Sequence, residues 1–212
     1  MLHTQTVEPS TLGLLRSLQN KGYLKGFNLV GGTALALYLG HRTSIDIDLF
    51  SNFNFDTAQL IELIQQDHPL QLYSTAPNTI KGSIENVNVD IIAHRYPYLN
   101  EPSDMDGIRI LSEPDIIAMK LNAISVSGQR SKDFIDIYFV LEEHRFSIAD
   151  MLKFYQMKYS QAGDMHVLKS LIYFDDVDLS DWPVLLRKPN LKWNDVCKKI
   201  EKEVLLFLNE SK

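Results

Sequence analysis

An acid-x-acid pair inside an otherwise apolar strand restricts the fold of this chain more than any other feature. Residues 45–50 are IDIDLF, with Asp46 and Asp48 standing where a buried strand prefers Val or Ile. Side chains two apart on a strand project from one face, their Cα atoms about 7 Å apart. The two carboxylates are thereby aimed at one place, and Ile45, Ile47 and Leu49 are expected to face the core. Just upstream, Gly31 and Gly32 open a run with apolar Leu35, Leu37, Tyr38 and Leu39 that has helical character. Glycine lets the backbone approach a ligand closely, and the N–H groups at a helix start attract phosphate. A phosphate-holding turn therefore adjoins a carboxylate pair suited to a hard divalent cation such as Mg²⁺.

The whole segment, GGTALALYLGHRTSIDIDLF, resembles the signature of the polymerase-β-like nucleotidyltransferase superfamily, a glycine pair on a helix followed by an acid-x-acid strand. With Thr33 after the glycines and His41, Arg42 and Ser44 before the acids, it is similar to the AbiEii/AbiGii-type toxin nucleotidyltransferases. The resemblance implies an α+β, polymerase-β-like fold, a mixed sheet flanked by helices and followed by a helical C-terminal region. It further implies that Gly31, Gly32, Thr33, Arg42 and Ser44 bind the nucleotide, and that Asp46 and Asp48 hold Mg²⁺ or Mn²⁺. The bland alternative is a solvated strand end beside a glycine turn.

The superfamily also carries a third carboxylate on a strand next to the acid-x-acid strand, and Asp90 is the candidate here. In NVNVDIIA, Val87, Val89 and Ile91 share one face, and Asn86, Asn88, Asp90 and Ile92 share the other. An acid midway along such a strand is costly to bury unpaired. The competing readings are an edge-strand acid facing water, or one paired with Arg95 or Arg109.

The remaining pattern predicts helices over residues 8–24, capped by Ser10 or Thr11, and over 56–67, with Asp56 or Thr57 as cap. Strands are predicted over 27–30, 70–75, 79–84, 86–93 and 108–111, with Ala76-Pro77-Asn78 as a turn. Pro114 suits the first turn of a helix, and the broad apolar stripe of Ile116, Ile117, Met119, Leu121 and Ile124 predicts a buried one. The boundary between a catalytic domain, residues 1–112, and a helical domain, residues 113–212, is placed there. Further helices are expected over 148–159, 164–173 and 193–208, the last with Val196, Ile200, Val204 and Leu205 on its apolar side. The acidic run FDDVDLSD lacks the glycine and terminal glutamate of a calcium loop and is expected to be a solvated loop.

Lys120 stands inside the apolar stripe. It either lays its stem over apolar surface with the ammonium in water or meets the triphosphate of a bound nucleotide as a compact cation. The segment from Lys120 through Arg130, Lys132-Asp133-Phe134, Asp136 and Tyr138 resembles a second block of the family, which gives Lys120 and Asp133 catalytic roles and Arg130 and Asp136 candidate ones. Asp133 and Asp136 share a helix face; an ordinary Lys132–Asp136 pair is the plainer reading.

Composition removes several other classes. At 212 residues, 45% hydrophobic and 23% charged, the chain suits one large domain or two small ones. A lone Cys197 excludes a disulfide framework and a cysteine-rich zinc site. His41, His94, His144 and His166 are scattered and form no HExxH pair, which argues against a zinc hydrolase. No apolar run is long enough to span a bilayer and no secretory leader is evident, so a cytoplasmic location is expected by default. The net charge of −6 argues against broad electrostatic binding of nucleic acid but not against a local RNA site. The resemblance implies an NTP substrate, an RNA acceptor such as a tRNA end, and a cognate antitoxin protein. Transfer to a protein or small-molecule hydroxyl, or a non-catalytic nucleotide-binding module, remains open.

Overall fold

Apolar residues that alternate with the acids fix where the sheet lies. In the computed structural model, which describes residues 1–160 and 164–210, the strands are β1 (Asn28–Leu29), β2 (Ile47–Ser51), β3 (Gln71–Ala76), β4 (Thr79–Ile84), β5 (Val87–Ala93), β6 (Ser103–Met105) and β7 (Ile108–Ile110). They form one mixed sheet in the order β3-β4-β5-β2-β1-β7-β6. The pairs β1–β7 and β2–β5 are parallel, and the other neighbours are antiparallel. One transverse row, Ile110–Leu29–Leu49–Ile91–Ile80, is fully buried. Burying each such side chain stabilises by about 1.5–3 kcal/mol, so this face is the core and the acid-bearing face is turned from it.

The helices of the same region are α1 (Pro9–Gln19), α2 (Gly31–Leu39) and α3 (Thr57–Asp67). The first departs from expectation at both ends. Glu8 is its N-cap without a side-chain bond and Pro9 occupies the first turn, so neither Ser10 nor Thr11 caps it. Residues 22–24 form a separate 3-10 turn. The Asp56 carboxylate caps α3 by accepting from the Gln59 N–H, as expected. Helix α2 is buried nearly all round and ends at Gly40, whose φ of 66° is the left-handed conformation that glycine adopts at little cost.

The chain divides into two compact units, Met1–Ser112 and Glu113–Lys212. The second contains α4 (Glu113–Val126), α5 (Ser131–Glu142), α6 (Ile148–Tyr159), α7 (Asp164–Leu171) and α8 (Trp193–Glu210). Ser147 and Asp150 form a reciprocal capping box at the start of α6. Lys158 and Asp115, fully buried, meet at 2.8 Å between α6 and α4. On α8, Val196, Ile200 and Val204 are buried, but Leu205 is exposed rather than on the apolar side. The acidic run is solvated as expected, with Asp181 paired to Lys132.

Candidate active site

Strand register brings the acids to one face. Ile47 pairs with Val89 and Asp48 with Asp90 across the parallel β2–β5 ladder. Because the side-chain period is two, Asn88 lies on the face of Asp90; its amide donates to Asp46 Oδ1 at 3.0 Å, which holds Asp46, just before β2, beside the other acids. The third acid therefore faces the same way as the first two. Ile45 does not follow the expected alternation: it is 61% exposed. The strand begins only at Ile47, where pairing with β5 starts. The preceding loop is held instead by the Ser44 N–H donating to the Thr6 carbonyl at 2.9 Å and by the Thr33 hydroxyl donating to the Asp46 carbonyl.

The glycine pair has two distinct structural duties. A Cβ on Gly31 would stand 2.1 Å from Asp48 Oδ2, and its φ of +72° is left-handed. A Cβ on Gly32 would stand 2.3 Å from a terminal nitrogen of Arg42. Gly31 thus keeps the start of α2 directly against an acid carboxylate, and Gly32 makes room for a guanidinium. Arg42 is buried and donates to the Thr43 carbonyl at 3.0 Å, so it braces this turn from within. The Thr33 and Ser44 hydroxyls lie 2.8 Å apart, which ties the helix start to the loop entering β2. Gly31→Ala is expected to displace Asp48 and lower transfer by about a hundredfold, since small misplacements near reacting groups carry costs of that order. Gly13→Ala, where nothing lies within 4 Å of the added Cβ, should leave activity unchanged; parallel kinetics on the two variants check this.

Asp90 pairs with Lys81, not with Arg95 or Arg109 as two of the sequence readings had it. Arg109 is turned to the Gln19 and Leu24 carbonyls. Lys81 and Asp90 are register partners across β4–β5, so the ammonium lies against the acid where a cation would. Sequence reasoning missed Lys81. Its signal was the Glu85-Asn86 turn, both residues at positive φ, which sets Ile84 opposite Val87 and hence Lys81 opposite Asp90.

In the second unit, the Lys120 ammonium lies 2.6 Å from Asp133 Oδ1 and 2.8 Å from Asp136 Oδ2. The side chains are 7%, 5% and 0% exposed. This overturns the reading with the ammonium in water, because α5 presents both acids to Lys120. Lys132, which could also have paired with Asp136, meets Asp181. Arg130 is the N-cap residue of α5, without a side-chain cap bond. Burial pushes the Cys197 thiol up to about 11, which leaves it a poor nucleophile.

Asp46, Asp48 and Asp90 offer hard carboxylate oxygens, and Asp48 lies against a turn that a Cβ on Gly31 would fill. Such a donor set fits Mg²⁺ or Mn²⁺. Among the described residues, no three His, Cys, Asp or Glu side chains form a cation cage by themselves. Mg²⁺ takes one or two carboxylates and completes its shell with waters and substrate phosphates.

Comparison with known proteins follows the same lines. A protein of Aquifex aeolicus (strain VF5), itself uncharacterized, is 30% identical over 166 residues, covering 76% of this chain and 80% of its own. A solved structure from H. pylori, proposed to be a nucleotidyltransferase, superimposes with a TM-score of 0.56 at 15% identity over 96% of both chains, which shows a shared fold. The sequence model described as "Nucleotidyl transferase AbiEii toxin, Type IV TA system" matches residues 13–207. With nearly the whole chain inside that match, the protein belongs to the AbiEii nucleotidyl transferase toxin family and is a nucleotidyltransferase.

Proposed function

We propose that this nucleotidyltransferase moves a nucleoside monophosphate from an NTP to a hydroxyl at an RNA end, a tRNA end being the favoured acceptor, and that it acts in the cytoplasm as the toxin of a pair with a cognate antitoxin protein. The observation that carries the reading is the Asp48–Asp90 register pair, with Asp46 on the same face and Gly31 against the Asp48 carboxylate. In the proposed reaction the acceptor oxygen bonds to the α-phosphorus and the bond from that phosphorus to the oxygen bridging to the β-phosphate breaks. Pyrophosphate departs and the acceptor proton is released to water.

Gly31 and Gly32 hold phosphate oxygens through the N–H groups at the start of α2. Thr33 positions that turn against the acids through its bond to the Asp46 carbonyl, Ser44 offers its hydroxyl to the phosphates, and Arg42 adds positive charge behind the turn. Asp46, Asp48 and Asp90 would hold Mg²⁺ or Mn²⁺, which when bound favours the ionised acceptor hydroxyl and neutralises the departing pyrophosphate. The chain's own contribution is positioning and fixed charge, the usual basis of phosphoryl transfer. Lys120 and Asp133 enter as candidates for nucleotide handling in the second unit. Among the described residues no helix is long and apolar enough to cross a membrane.

The test incubates the protein with each radiolabelled NTP and Mg²⁺, in the presence of purified tRNA, cell lysate and candidate antitoxin. Label in RNA is the expected outcome. Label in protein and none in RNA would overturn the acceptor assignment while leaving nucleotidyl transfer intact.

A further inference from the structure

On the acid face, beyond the acids, Phe50 and the segment leaving β5 carry a cluster of tilted aromatic rings that the proposed phosphate chemistry leaves unused. Phe50 follows Asp48 by two residues on the same face and pairs with Ile92, itself two beyond Asp90. The chain then leaves β5 as His94-Arg95-Tyr96. The Phe50 and His94 rings are 5.9 Å apart between centroids, tilted by 40°. Those of His94 and Tyr96 are 4.7 Å apart, tilted by 49°. Tyr96 is 40% exposed, and Arg95 beside it is exposed as well.

Position along β2 decides what such a cluster serves. β1 runs antiparallel to β2, with Asn28 opposite Phe50 and Leu29 opposite Leu49. The Val30 N–H then bonds the Asp48 carbonyl, so the glycine turn lies at the end where β2 begins. The aromatic cluster lies at the end where β2 and β5 finish. Asp48 and Asp90 stand between the two. In-line displacement puts the leaving and attacking oxygens on opposite sides of the phosphorus. With the triphosphate tail on the glycine turn, the attacking hydroxyl arrives from the aromatic side.

We propose that Phe50, His94 and Tyr96 form the stacking platform for the 3′-terminal bases of a single-stranded RNA acceptor, with Arg95 meeting its backbone phosphate. This rests on the RNA-acceptor reading of the same site. Aromatic rings interleaved with a cation are the usual means of holding unpaired bases without reading their sequence, because every base has a π-face and every linkage a charge. The platform also explains how a chain of net charge −6 holds RNA: stacking supplies affinity that bulk electrostatics do not.

The experiment titrates the full chain into a short single-stranded RNA carrying 2-aminopurine at its 3′ end, whose fluorescence is quenched on stacking. The wild-type protein is expected to quench it. Tyr96→Ala should weaken binding about tenfold and remove the quench, as loss of one base–aromatic stack does. Tyr96→Phe should keep both, and Arg95→Ala should weaken binding and flatten its salt dependence. Binding of a Mg²⁺-bound fluorescent NTP analogue should be the same in all four proteins. RNA bound without quenching, or bound equally by Tyr96→Ala, would overturn the platform and leave the RNA reading standing. No RNA binding, together with radiolabel found on protein in the transfer assay, would overturn the RNA reading and the platform with it.

Discussion

Asp48→Asn is expected to abolish nucleotidyl transfer, lowering single-turnover labelling by about a thousandfold or more, the scale seen when a preorganised charge at a reacting phosphate is removed. The fold should be untouched. The substitution is isosteric, the Ile47 and Leu49 side chains that anchor β2 are on the other face, and neutralising one of two directly opposed acids relieves like-charge repulsion. Thermal unfolding within a few degrees of wild type, with activity lost, is the result that follows from the site as built. Asp46→Asn should behave likewise. Wild-type turnover in either variant would contradict the assignment of these carboxylates.

The second large effect is on stability and falls in the other unit. Lys120→Ala leaves Asp133 and Asp136 as a buried pair of acids without their common cation. Breaking a buried ion pair from one side costs about 3–5 kcal/mol, which corresponds to a fall of about 10 °C in melting temperature for a chain of this size. Neutralising the partners at the same time, as Lys120→Met with Asp133→Asn and Asp136→Asn, should restore much of that loss because no unpaired charge stays buried. The compensated variant separates the two roles of Lys120. Restored melting with transfer still lost is the expected outcome, and restored melting with full transfer would assign Lys120 to scaffolding alone.

What was legible in the sequence was set by short-range periodicity. The alternation of Val87, Val89 and Ile91 against Asn88 and Asp90 placed the third acid on the correct face, because a buried side of a strand has only one phase. The stripe on α4 was equally plain, and Pro114 marked its start. Residues whose role depends on tertiary pairing were hidden. Lys81 meets Asp90 through a hairpin turn, Glu85-Asn86, that lacks the glycine usual at positive φ. Asn86 of that turn was included in the predicted strand over 86–93; the faces of the strand were unaffected, but alternation did not show which residue of β4 lies opposite Asp90. Ile45 looked like a third core residue of β2, yet alternation alone does not show where pairing begins. Lys120 was recognised as unusual for a stripe of that kind, but its two acid partners sit on the next helix, and nothing local revealed that both would turn towards it. Lys158 and Asp115 are separated by a whole helix in sequence, and their burial together was not foreseeable from either segment.

The arrangement at the acids also bears on how the site loads. Lys81 holds the Asp90 carboxylate in the structure. Lys81 is exposed and Asp90 partly so, so the pair is worth no more than about 1 kcal/mol and is easily exchanged for a stronger cation. Lys81→Ala should therefore change stability little, which a melting curve would show.

In the proposed site Asp48 and Asp90, with Asp46 beside them, hold a divalent cation next to a triphosphate on the Gly31-Gly32 turn. A crystal grown with Mn²⁺ and a non-hydrolysable NTP analogue tests it most directly through the anomalous signal of manganese. The expected result is a peak bonded to oxygens of Asp48 and Asp90, Lys81 displaced from Asp90, and phosphate oxygens against the first N–H groups of α2. Manganese bound elsewhere, with the Lys81–Asp90 pair intact and the triphosphate away from the glycine turn, would contradict it.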